Sequence, residues 1–349
     1  MKTRPALILL IILYAACLTG CGGGGGGTSG SASQESDSPP TVLSTFPVSN
    51  QGAVAMNTAI AVTFSETIDP ATINAQTLIL TKGGVPVAGS VECFGTTALF
   101  TPGGNLLLPG TIYSATVTTG VKDLAGNTLA ANYNWEFTTG VTQDGTAPTV
   151  LFHFPASNAG AVAINTAIAA TFSETIDPTT INPQTFILKK DGVTQAAGIV
   201  TYFGTSAVFK PDANLSANAS YSATVTTGVT DMAGNPLAAN VSWNFTTGSA
   251  TDTVFPGVLS FSPPSGATSV PVDAPFTVSF NEAIMPFEYG QIDGRPVAVS
   301  FNDTYTTVTM KPSVAMQPGT TYTTSIRLKD MASNLMPAIL SWQYSTSSP

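Results

Sequence analysis

The sequence predicts an all-β chain built as three tandem β-sandwich domains, and three observations predict it. The heptapeptide FSETIDP occupies Phe64–Pro70, returns unchanged at Phe172–Pro178, and returns as FNEAIMP at Phe280–Pro286, each start 108 residues from the last. That step is too long for a solenoid repeat of about 20–50 residues and is the size of a whole domain. Within each copy, short runs of β-branched and aromatic residues alternate with Gly, Pro, Asn and Asp turn residues, and helical periodicity is absent beyond the N-terminal segment. Only 9% of the chain is charged, which suits an exported all-β surface better than a cytosolic enzyme.

The elements follow in chain order. Residues 1–21 carry Lys2 and Arg4 ahead of an apolar stretch from Ala6 to Ala16, the pattern of an export signal and too short for a stable transmembrane helix. The segment ends in LTGC, Leu18–Cys21, which resembles the bacterial lipobox. The resemblance implies lipidation of Cys21 and anchorage to a membrane, since several acyl chains hold where one barely does. By the same resemblance, Gly22 in place of Asp permits onward transport to an outer membrane where the cell has one, and the outer membrane or the cell surface is the expected location. Residues 22–39 are Gly/Ser-rich with no large apolar residue, so they form a disordered tether that spans roughly 20–25 Å on average.

The three domains are expected at 40–140, 148–248 and 256–346, opened by Pro40, Pro148 and Pro256. In the first, strands are expected near Thr41–Phe46, Ala59–Phe64, Thr77–Thr81, Val87–Cys93, Ala98–Thr101, Tyr113–Thr119 and Asn134–Thr139. Seven short strands in about a hundred residues is the pattern of an immunoglobulin-like sandwich. In NWEFTT (Asn134–Thr139), Trp135 and Phe137 share one face; Trp243 and Trp342 recur in the later copies and are read as core. Tyr113, Tyr221 and Tyr322 each open a late strand, the place of a tyrosine corner. DLAGN at Asp123–Asn127 returns as DMAGN and DMASN and reads as a turn in which Asp bonds the amides ahead of it.

The ordered set of a Pro opening, FSE, LPGTxY, DxAGN and WxF resembles the bacterial Ig-like domain of the S-layer SbsA type. The resemblance covers essentially all of the chain beyond the tether. It implies a spacer or presentation module of secreted and surface proteins, and no reaction. The third copy departs most, losing the Asp before Pro286 and the Gly of the last turn.

The repeated acids admit two readings. Asp69–Pro70 and Asp177–Pro178 read as a cap and a first helical position, giving a single short helical turn. Glu66, Glu174 and Glu282 recur in all three copies and read as strand-end carboxylates that accept hydrogen bonds where the chain leaves the sheet. The sharper reading makes Glu66 and Glu174, with Asp69, Asp177 and Asp123, oxygen ligands of Ca²⁺; the structural reading carries more weight, because the spacing fits no EF-hand loop and the third copy lacks one proposed ligand, and no metal site is assigned. His153, the only histidine, has Thr45 and Phe261 as counterparts, which speaks against a ligand or a base. Cys93 is left without a partner once Cys17 departs and Cys21 is acylated, and reads as a small strand hydrophobe.

Function classes narrow accordingly. The formal charge is −9, and −11 after the signal's two basic residues are removed, which speaks against nucleic acid. No catalytic triad, Cys/His metal spacing or phosphate-cradling loop is present, so no catalytic residue and no cofactor is expected. The chain ends just after the third WxY strand, leaving no room for a separate catalytic domain. The expected role is a non-catalytic, lipid-anchored envelope protein whose domains act as spacers, presenters or protein-interaction modules. An adhesin-like binder of a glycan or extracellular ligand is the alternative.

Overall fold

A computed structural model describes residues 38–104, 106–286, 290–292, 297–312 and 315–348. The export segment, Cys21 and residues 22–37 of the tether lie outside the described residues.

The first domain has nine strands: β1 (Val42–Phe46), β2 (Gln51–Val54), β3 (Ile60–Phe64), β4 (Leu78–Lys82), β5 (Val85–Pro86), β6 (Gly89–Phe94), β7 (Thr97–Pro102), β8 (Ile112–Val117) and β9 (Tyr133–Thr139). One sheet runs β1-β3-β7-β6 and the other β2-β9-β8-β4-β5. This is the ABED and CFG division of an immunoglobulin sandwich, with the chain changing sheets between β1 and β2 so that β2 pairs parallel with β9. All seven expected strands are present. β2 and β5 are additional; QGAV and a lone Val-Pro pair carry no alternation by which to find them.

The strand alternation builds the core. In β9, Trp135 and Phe137 are buried while Asn134 and Glu136 are exposed. They meet Ile60, Val62 and Phe64 of β3, Phe100 of β7, and Tyr113 and Ala115 of β8. Each buried large side chain contributes about 1.5–3 kcal/mol. The indole N–H of Trp135, like those of Trp243 and Trp342, is buried without a hydrogen-bond partner, so each ring is held by packing alone.

The second domain repeats this order, with sheets of four and five strands and the same parallel pairing of Ala159–Val162 with Val241–Thr247. The third also has two sheets, the second with four strands among the described residues where the other domains have five, and it differs at one hairpin. Strands Val297–Phe301 and Thr307–Pro312 are joined by five residues, where the second domain uses only Gly204 and Thr205 between Gly198–Phe203 and Ser206–Pro211.

The FSETIDP segments are turns, not helical turns. Thr72 N–H donates to Asp69 O at 3.0 Å and Thr180 N–H to Asp177 O at 3.0 Å, and no helix occurs among the described residues. The β-branched Thr and Ile that follow the Pro, and the isolated bridge of Ile68 to Asp123, hold the segment against the sandwich before a helix can form.

Two small cores join neighbouring domains. Ala59, Ala61 and Leu99 of the first pack on Met232 of the second, and Ala59 N–H donates to Met232 O at 3.0 Å. Ala167, Ala169 and Val208 of the second pack on Met285, Tyr305 and Met331 of the third, and Ala167 N–H donates to Met331 O at 2.7 Å.

Candidate functional site

The sequence-predicted residues divide into those that close a domain and those that gather at a junction. The tyrosines belong to the first group. Tyr113 Oη accepts from Leu108 N–H at 2.9 Å, Tyr221 Oη from Ser216 N–H at 2.8 Å, and Tyr322 Oη from Gln317 N–H at 2.7 Å. Asp69 Oδ1 accepts from Ala71 N–H and Asp177 Oδ1 from Thr179 N–H, so these acids cap their own turns. Met285, which replaces the Asp in the third copy, is buried between the second and third domains.

Asp123, Asp231 and Asp330 are buried and equally engaged. In each, Oδ1 accepts from the amides two and four residues ahead and Oδ2 from the Asn side chain four ahead. Around Asp123, burial acts upward on its pKa, but the bonds from Asn127, Gly126 and Ala125 prevail and hold it below the usual carboxylate range.

Asp231 and Asp330 have further company. Asp144 of the first linker, Glu174 and Asp231 each offer a carboxylate oxygen within 4.8 Å of the others; Asp252 of the second linker, Glu282 and Asp330 form the same trio one domain on. Asn57 places the first linker acid: its Nδ2 donates to Asp144 O at 2.9 Å and its Oδ1 accepts from Asp144 N–H at 2.8 Å. Asn165 makes the same pair of bonds, both 2.8 Å, with Asp252. Burial and the two neighbouring Asp charges push Glu174 and Glu282 up to about 7. Asp330 is raised as well, by burial first and against its Asn334 bonds, with Asp252 adding to the effect. Thus Glu174, expected as a calcium candidate, lies beside Asp144 and Asp231, while Asp69 and Asp177 stay with their turns.

Sequence reasoning missed Asp144 and Asp252. Both sit in linkers outside the quoted motifs, yet they keep the 108-residue step of the heptapeptides, and that step was the available signal.

Two other residues have plain structural places. The His153 ring stacks on Trp243 at 4.2 Å and meets Pro155 O through Nδ1 at 2.9 Å. Burial and the nearby Asp69 carboxylate push the Cys93 thiol up to about 11, which removes it from nucleophilic work near neutrality.

A cleft of about 540 Å³ lies where all three domains meet, lined by Thr45, Phe46 and Thr63 of the first, Tyr202 of the second, and Val299 and Met316 of the third. Its walls are mostly apolar with a few hydroxyls, Tyr133 and Tyr202 among them, and no carboxylate, His, Lys or Arg is among its described lining residues.

Sheets, tyrosine corners and sheet-switching first strands define a protein of tandem immunoglobulin-like sandwiches. A family profile described as bacterial Ig-like domain matches residues 36–139, 144–247 and 252–346, and the chain belongs to that family. Among solved structures, domains 1–6 of the surface layer protein SbsC match at 14% identity and a TM-score of 0.26, covering 90% of this chain and 55% of that one. The insect immune protein hemolin matches at 11% identity and a TM-score of 0.23, covering 89% and 76%. Dimeric latent PorU from Porphyromonas gingivalis matches at 11% and 0.28, covering 89% and 34%. The chain thus spans little more than half of the SbsC structure it resembles. No curated protein sequence matches the chain.

Proposed function

We propose that the chain is exported, anchored by lipid at Cys21, and acts without catalysis at the cell envelope or surface, its Ig-like domains serving as spacers, presenters or protein-interaction modules. The observation that supports this best is the succession of three bacterial Ig-like domains along the chain, with the repeated Tyr and turn Asp side chains bonded within their own folds. The lipid anchor rests on LTGC at Leu18–Cys21, and the tether would lift the first sandwich off the bilayer. The partner expected on this reading is another envelope protein.

The test is cross-linking of the full-length protein in its own cells, recovery, and identification of what comes with it. Cys21→Ser should abolish acyl labelling and release the chain from the membrane fraction. One dominant envelope protein, lost when a single domain is deleted, supports a docking role. Recovery of a glycan or small extracellular ligand would move the reading to an adhesin-like binder, for which the hydroxyl-bearing cleft of about 540 Å³ is the natural place.

A further inference from the structure

We infer that the cleft where the three domains meet is a strand-addition site: it takes an extended, uncharged peptide segment of a partner protein and pairs it with the free sheet edge of Val297–Phe301. The inference rests on the protein-interaction reading of the domains. Val297–Phe301 and β1 each stand last in their sheets. Both reach the cleft, the former contributing Val297, Ala298 and Val299 to its walls and the latter Ser44, Thr45 and Phe46.

The register shows where the backbone of each edge points. Residues along an antiparallel strand alternate between bonding their partner and turning N–H and C=O the other way. In the third domain Asn302 N–H donates to Thr307 O at 3.1 Å and closes the hairpin. The bonded pairs are then Ser300 with Thr309 and Ala298 with Lys311, so Val299 turns its N–H and C=O outward. Its carbonyl oxygen lies 3.7 Å from where a Cβ on Gly204 would stand, and Gly204 lines the same cleft. In the first domain Phe64 N–H donates to Thr96 O at 2.8 Å, on the β7 side, so Thr63 and Ala61 turn toward β1. Their partners are Ser44 and Phe46, which leaves the N–H and C=O of Thr45 facing outward.

The walls select the occupant. Natural sheet edges are blunted by charge, proline, a bulge or a cover. Val297–Phe301 has no charge, no proline and no bulge in its register, whereas the matching edge of the first domain, β6, carries Glu92. An outward row of amide donors and carbonyl acceptors is matched in sign and spacing by another extended backbone. The two edges come within 8 Å of each other, Cα to Cα, and an inserted strand takes about 4.8 Å on each side. The segment therefore adds to Val297–Phe301 alone and reaches Thr45 with side-chain groups, for which a hydroxyl serves as both donor and acceptor. No carboxylate, His, Lys or Arg is among the described lining residues, and a charge buried there would go unpaired. Phe46, Val48 and Met316 stand beside the hydroxyls of Ser44, Thr63 and Thr97, which suits apolar residues alternating with Ser or Thr. Residues 22–37 of the chain itself do not fit, since they have no large apolar side chain. Phe46 also packs on the small core between the first and second domains, so a bound segment would extend an interface the fold already holds.

The experiment is calorimetric titration of the detergent-solubilised full chain with the peptide acetyl-Val-Thr-Val-Thr-Val-Thr-amide, and with the same peptide N-methylated throughout. Saturable binding of the first and none of the second is expected, with slowed hydrogen exchange at the Val299 amide. Val299→Pro removes that outward N–H where an edge strand tolerates proline, and should weaken binding about tenfold. Val91→Pro, at the matching place on β6 and outside the cleft, should bind as the parent does. If Val299→Pro melts early, Ala298→Lys places a charge in the same slot from an exposed position and should abolish binding. Equal binding of the two peptides would make the cleft a side-chain pocket and overturn strand addition. So would no binding at millimolar peptide, or an equal loss in Val91→Pro. Parent dimers that Val299→Pro dissolves would make the occupant a second copy and overturn the foreign segment. The envelope reading is judged separately: a partner recovered from cells equally by Val299→Pro keeps that reading and refutes the cleft, whereas peptide binding with no partner recovered does the reverse.

Discussion

The phenol of Tyr221 shows how a single group closes each sandwich. The ring is buried and stacks on Phe245 at 5.7 Å, and its hydroxyl accepts the Ser216 amide from the preceding turn. Tyr221→Phe keeps the stacking and orphans that amide, so a loss of about 1–3 kcal/mol is expected, read as an earlier urea midpoint with an unchanged slope. Cys93 provides a pH test. Its thiol moves from 9.0 to about 11 on folding, through burial and then Asp69. The folded state therefore holds this proton more tightly than the unfolded one. The group's stabilising contribution is complete below pH 9 and is lost as pH rises toward 11. At pH 8, alkylation of folded Cys93 should run roughly a hundredfold slower than in the denatured chain, following the thiolate fraction; equal rates would contradict the burial. Tyr221 was legible because it repeats, with Tyr113 and Tyr322, inside a short motif whose chemistry is local. The junction trios were not, because Asp144 lies 30 residues before Glu174 and 87 before Asp231, and only the folded sandwich brings them together.

At the level of strands and turns, packing decides what propensity leaves open. Gly198 starts its strand directly against the ring of Phe209: a Cβ there would lie 2.5 Å from Lys210 O and 2.6 Å from Phe209 Cε1, and Gly89 meets Phe100 and Thr101 in the same way. Gly198→Ala must push the strand off its neighbour, at about 1–3 kcal/mol; the same change at Gly160, where the nearest atom is 3.8 Å away, should cost far less when both are measured by chemical denaturation. The turn after the FSE strand gives a second comparison. Asp177→Ala removes the carboxylate that accepts Thr179 N–H at 2.8 Å and should cost about 1 kcal/mol, whereas Met285 at the equivalent position makes no such bond and packs instead. Strands β4, β8 and β9 could be read from alternation because one face of each is buried. The strand Gln51–Val54 could not: only Val54 of its four residues is buried, and the partner that makes it a strand, β9, lies more than eighty residues downstream.

Across the whole chain, the two junctions are unequal. The first is a small contact of Met232 with Ala59, Ala61 and Leu99. The second is larger, because the longer hairpin of the third domain carries Tyr305 into the second. Its side chain is fully buried, lies edge-on to Phe152 at 5.3 Å, and shares a hydrogen bond with Thr171 at 2.8 Å. Its own domain holds it from behind: Tyr305 O accepts from Ile284 N–H, and Tyr305 N–H donates to Asn302 O. The residue adopts a φ of 59°, a left-handed conformation that a bulky side chain takes only when its surroundings fix it. Tyr305 is thus a peg that transmits unfolding between two sandwiches. Cutting a large buried aromatic to Ala removes about 3–5 kcal/mol, and here most of that loss falls on the interface. Metal-free calorimetry should show the second and third domains of the parent melting together, with Tyr305→Ala splitting off a lower-temperature transition for the third domain. Tyr305→Phe, which loses only the bond to Thr171, should leave them coupled. A single transition in Tyr305→Ala, merely shifted downward, would mean that Met285 and Met331 suffice to couple the domains without the peg.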